Sequence, residues 1–113
     1  MGTQGRILSV VESERGLAST WLMMKRGCSV LVAAEDQNLL LPLSAWNPHL
    51  RTADLDRDLF AQATSNECMG IAFDWTLEEI QTKGAQKGDL PVFYPLVGMK
   101  EEDVKGLLAR IRA

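Results

Sequence analysis

Two short stretches hold the side chains whose types and spacing could do chemistry. The first, Val11-Glu12-Ser13-Glu14-Arg15-Gly16, lies between an apolar run and a helical pattern. A strand–turn–helix of this kind aims free helix N–H groups at an anion, and nucleotide enzymes use it to hold phosphate. Such a cradle favours glycines, which lack a Cβ and let the backbone approach its ligand. Here Gly16 stands alone, and Glu12 and Glu14 flank the turn. Two like charges about 4 Å apart repel by roughly 4 kcal/mol at an effective dielectric near 20. That repulsion is equivalent to about three orders of magnitude in affinity. The turn therefore reads as a phosphate site that has lost its function. A bound cation would reverse the argument by making the two glutamates ligands, but the simpler reading needs no metal. It makes Ser13 the helix N-cap and Glu14 a first-turn carboxylate that suits the helix dipole.

The second stretch, Asp74-Trp75-Thr76, directly follows another apolar run. Ligands of open parallel sheets lie beyond the carboxyl ends of the strands, so Trp75 is expected at that rim, near the first turn. There it either plugs a nucleotide cavity, stacks on a planar ligand, or forms a hot spot for a protein partner. The remaining candidates carry less. Cys28 and Cys68 are far apart, lie outside any CxxC pair and read as buried reduced thiols. His49 reads as a solvated loop residue, Trp21 and Trp46 as helix-packing residues, and Lys100 as solvated.

The elements that must position these residues are legible from periodicity. Residues 6–11 and 28–34 are apolar runs of strand length, the second almost continuous, as a strand covered on both faces should be. Between them a helix is predicted over about 14–25, with Leu17, Trp21 and Met24 on one face and Gly27 as its stop. Pro42 predicts a helix that starts near it or kinks there. A short strand follows at 50–53, and residues 54–63 have helical spacing. Strand 69–73 ends at Asp74, and Thr76-x-x-Glu79 has the form of a capping box for a helix reaching about Lys83. A strand at 91–96 precedes a last helix with Val104, Leu107, Leu108 and Ile111 on its buried stripe. Alternating strands and helices predict a parallel sheet covered on both faces.

Composition sets the outer limits. The 113 residues suit one compact domain, with 46% hydrophobic and 24% charged residues. No apolar run approaches the roughly 20 residues that span a bilayer, and the start MGTQGR lacks the form of a secretory signal. A cytoplasmic protein without membrane contact is therefore expected. Net charge is −3. The middle of the chain is acidic and both ends are mildly basic, so no segment predicts tight binding to a phosphate backbone.

"GRILSVV…WLMMKRGCSV" and "LPVFYPLVGMKEEDVKGLLARI" resemble the opening and the fifth strand with its following helix in the PP-loop domain of ThiI-type proteins, the tRNA 4-thiouridine and thiamine-pathway sulfurtransferases. "AWNPHLR" and "MGIAFDWTLEEI" fall where that family has its middle segments. The resemblance implies a three-layer α/β/α Rossmann-like sandwich of the adenine nucleotide alpha hydrolase type, with five parallel strands in the order 3-2-1-4-5. It also implies that Glu12, Ser13, Glu14, Arg15, Gly16, Asp74, Trp75 and Thr76 line a vestigial cofactor pocket. The family's SGGxDS loop is absent, and Phe73-Asp74-Trp75 replaces its TGD. Nothing corresponds to its THUMP or rhodanese regions, and the sequence ends before the segment with the family's sulfur-transferring cysteine. The expectation is a non-catalytic ThiI-like accessory or interaction domain, linked to tRNA thiolation or sulfur transfer. No catalytic residue, metal or required cofactor is expected, while a protein partner, weak or indirect tRNA association and self-association are. The alternatives are a domain that still binds ATP or AMP as a sensor, and one half of a split tRNA-thiolation enzyme.

Overall fold

The structure, a computed structural model, describes residues 5–55 and 57–112. Five strands, β1 (Arg6–Val10), β2 (Ser29–Ala33), β3 (Arg51–Ala53), β4 (Gly70–Phe73) and β5 (Val92–Phe93), form one sheet in the order β3-β2-β1-β4-β5. Every neighbouring pair is parallel. Five helices cover the sheet: α1 (Arg15–Lys25), α2 (Leu41–Trp46), α3 (Leu59–Ser65), α4 (Leu77–Lys83) and α5 (Glu101–Arg112). This is the expected α/β fold, with β1 at the centre.

Alternation along the strands divides the core into two faces. Leu8, Val10, Leu31, Ala33, Ile71 and Phe73 pack toward α3 and α4, against Leu59, Phe60 and Ile80. Val30 and Val32 face the other way, onto Leu17 and Trp21 of α1, Leu43 of α2 and Ile111 of α5. Both faces are covered, so the central strands can be apolar along their buried lengths. The exception in the buried part of β1 is Ser9, whose hydroxyl pairs with that of Thr20 on α1 at 2.8 Å, both buried. That bond satisfies two polar groups under the helix.

Several boundaries differ from the sequence reading for identifiable reasons. Residues 54, 55, 57 and 58 are not helical. Asp58 is the N-cap of α3, its carboxylate accepting from the N–H groups of Phe60 and Ala61, and Asp56 lies outside the described residues. The strand expected over 91–96 is only Val92–Phe93. Pro95 has no N–H to give a ladder, and it opens a 3-10 turn over Pro95–Gly98 instead. Pro42 sits in the first turn of α2, where a proline is tolerated. Gly27 takes φ 94° after α1 and lets the chain turn into β2. On α5, Val104 and Ile111 are buried while Leu107 and Leu108 are half-buried. Among the described residues, no helix is long and apolar enough to cross a membrane.

Candidate functional site

The register of β1 with β4 builds the site. Val10 pairs with Phe73, so the chain leaves both strands side by side, at the point where the strand order reverses. The 11–16 turn thus faces Asp74, Trp75 and Thr76, as expected from the order of strands.

Asp74 enters the place where an anionic ligand would lie. Its side chain is buried, and Oδ2 accepts from the backbone N–H of Glu12 at 2.9 Å and of Ser13 at 2.8 Å. The Ser13 hydroxyl donates to the same oxygen at 3.0 Å. Asp74 Oδ1 is buried and has no hydrogen-bond partner among the described residues. Burial pushes the Asp74 carboxyl above its ordinary value, and the neighbouring Glu12 charge adds to the rise. The bonds from Ser13 and Glu12 oppose it without cancelling it.

Gly16 has a specific reason to be glycine. A Cβ built there would meet Asp74 Oδ2 at 2.4 Å and its Cβ and Cγ at 2.9 Å. The single glycine of the turn admits the chain's own carboxylate. The expectation that Ser13 caps α1 is corrected: its hydroxyl is committed to Asp74, and Glu14 occupies the N-cap position without a side-chain capping bond. The Ser13 hydroxyl donates its proton to the carboxylate in a charge-assisted bond, whereas a cap would accept from a free N–H of the helix.

Trp75 is also buried, and its indole N–H donates to the Glu12 carboxylate. Its ring lies 4.9 Å from Phe73 and 6.1 Å from Tyr94, centroid to centroid, as part of an aromatic cluster. Lys83 Nζ lies 4.7 Å from the Trp75 ring centroid, 4.0 Å from Glu12 and 3.7 Å from Glu79. Thr76 and Glu79 exchange both bonds of the capping box at the start of α4. The bond from the Thr76 backbone, more than the nearby Arg15 and Lys83, holds the Glu79 carboxyl below its ordinary value. Arg15 reaches Glu79 at 3.1 Å, joining the starts of α1 and α4.

Glu12 and Glu14 do not converge. Glu12 turns to Trp75 and Lys83, while Glu14 pairs with Arg112. No group of three or more His, Cys, Asp or Glu side chains comes together among the described residues. Beside the turn, a groove of about 510 Å³ is lined by Glu14, Arg15 and Thr76 over apolar Leu96, Val104 and Leu108. Its cations are matched, Arg15 with Glu79 and Lys105 with Glu101.

The sequence reading missed Lys83 and Tyr94. Lys83 carried only a helix-end signal, and Tyr94 lay within what read as a longer strand. Cys68 is buried, and burial pushes its thiol up, whereas Cys28 is only half-buried. His49 and Lys100 are exposed.

No family model matches the chain, and no curated protein does. Among solved structures it is similar to the crystal structure of PH1313 from Pyrococcus horikoshii Ot3, with a TM-score of 0.72 and 22% identity. The likeness shows the fold alone. It covers 100% of this chain and 43% of PH1313, so the chain spans less than half of that protein's length.

Proposed function

We propose that this chain is a non-catalytic ThiI-like domain that serves as an accessory or interaction module, in a setting of tRNA thiolation or sulfur transfer. The setting rests on the sequence resemblance. The absence of catalysis rests on one observation: the Asp74 carboxylate occupies the N–H groups of Glu12 and Ser13, with Gly16 packed against it. A phosphate in this turn would compete with an anion already bound there by its own chain. Displacing Asp74 would leave a buried carboxylate without its donors, which is strongly unfavourable. The matched charges of the adjoining groove support the same reading, because they leave no unpaired cation on its walls to attract a triphosphate.

Two measurements test it. With magnesium present, the chain is expected to give no ATP–pyrophosphate exchange above a no-protein control. In a Trp21→Phe, Trp46→Phe variant, whose indole emission comes from Trp75 alone, AMP and ATP are expected to leave the spectrum unchanged. Exchange that Glu12→Ala abolishes, or saturable quenching at micromolar AMP, would overturn the proposal in favour of a nucleotide-binding domain.

A further inference from the structure

A second concave feature lies at the opposite end of the sheet. Ser29 and Arg51, the first residues of β2 and β3, meet the last turn of α1 and the end of α2 around a groove of about 240 Å³. Trp21, Lys25, Trp46 and His49 also line it, and no carboxylate does. Trp46 is 52% exposed, against 2% for Trp21 and 6% for Trp75. The sequence reading of Trp46 as a packing residue is thus only half right. One edge meets Trp21, ring centroids 5.2 Å apart, and much of the rest faces water.

The charge around this indole is uncompensated. Lys25 Nζ stands 4.8 Å from the Trp21 ring centroid and 5.9 Å from that of Trp46. Arg51 donates to the side-chain oxygen of Asn66 at 2.9 Å, and Arg6 donates to the carbonyl of the same residue at 2.8 Å. Arg6 also reaches the Ser29 hydroxyl at 3.5 Å, beside the groove. A neutral asparagine therefore fixes two guanidinium groups without cancelling their charge. Among the described residues, none of these three cations forms an ion pair with a carboxylate. The indole N–H of Trp21, buried in the groove's wall, has no acceptor among those residues either.

Folding alone does not call for this arrangement. In a chain of net charge −3, carboxylates are plentiful, and gathering cations without them costs mutual repulsion. We infer that the groove binds a nucleotide unit of single-stranded nucleic acid, its base stacked on the exposed face of Trp46 and its phosphate held by Lys25 and Arg51. Every base has a π-face, so an indole platform accepts any of them. Guanidinium and ammonium groups supply the phosphate contacts. The volume falls below the roughly 300 Å³ at which enclosed small-molecule sites begin. It suits one base laid on a ring rather than a wrapped cofactor. This site is independent of the 11–16 turn and of the reading proposed for it.

The test is quenching of intrinsic emission by octauridylate and, separately, by UMP at low salt, since Trp46 is the exposed emitter. Saturable quenching by octauridylate is expected, with a log–log salt slope of about −1.4 for two single-strand phosphate contacts. Lys25→Glu and Arg51→Glu are each expected to weaken binding about tenfold or more. Lys87→Glu, the same charge change on an exposed loop residue, is expected to alter it by no more than about twofold. Tighter binding of the octamer than of UMP assigns the site to a strand; equal binding assigns the same chemistry to a free mononucleotide. Absence of quenching by both ligands would overturn the inference. So would binding that survives both groove reversals, or that Lys87→Glu weakens as much as they do.

Discussion

Asp74 is a charge carried into the rim of the sheet, and its titration should register in stability. Because burial raises its carboxyl above the ordinary value, the folded chain retains a proton that the unfolded chain has released, over the interval between the two values. Stability contributed through this group is full below the unfolded value and is lost as pH rises through the folded one. Asp74→Asn keeps an acceptor for the two N–H groups and removes the charge. The difference in unfolding free energy between wild type and Asp74→Asn should therefore shift against the wild type as pH rises across that interval, and level off above it. Chemical denaturation of both proteins in parallel checks this, and a difference that stays flat with pH would contradict it. Gly16 belongs to the same unit. Gly16→Ala should destabilise by about 1–3 kcal/mol through overpacking against Asp74. The loss should largely vanish in an Asp74→Gly background, which removes the Oδ2, Cγ and Cβ atoms that the added methyl would meet. Equal losses in both backgrounds would show that the glycine serves another purpose. Gly16 was conspicuous in the sequence as the last glycine of the turn. Its reason was not, because the atom it makes room for is 58 residues further along the chain.

At the scale of elements, signals confined to a few consecutive residues were legible. The Thr76–Glu79 capping box, the Gly27 stop and the first-turn proline of α2 need only local chemistry, and each stands as read. The errors came where a local pattern competes with a nearby cap or proline, as at Asp58 and Pro95. Helix α5 shows a finer limit: periodicity identified its buried stripe but not how deeply each position sinks. Ile111 is buried and Leu108 only half-buried. Ile111→Ala should therefore cost about 2–5 kcal/mol, as a core truncation does. Leu108→Ala should cost clearly less, since less apolar area leaves water at that position. Thermal or urea unfolding of the two variants measures the ranking, and a larger loss at Leu108 would mean that α5 is rotated on the sheet.

For the whole molecule, the parallel sheet was legible because apolar strands alternating with amphipathic helices leave few other arrangements, while the strand order came from the resemblance. The sites were less legible, because each is assembled across the sheet. The cations of the Trp46 groove come from α1 and β3, two stretches that look unremarkable one at a time. The 11–16 turn likewise showed its shortage of glycines, but not that a carboxylate from the end of β4 stands in an anion's place. That replacement is the central claim, and an anion-dependent thermal shift tests it most directly. Asp74→Ala exposes the N–H groups of Glu12 and Ser13, so sulfate should raise its Tm by several degrees, the shift expected for about 1 kcal/mol of ligand binding in a domain of this size. The wild-type chain, its donors already filled, should show no such site-specific gain beyond the general salt effect measured on an Asp74→Asn control. An equal sulfate shift in wild type and Asp74→Ala would mean that the turn is open to anions and that Asp74 does not stand in for one.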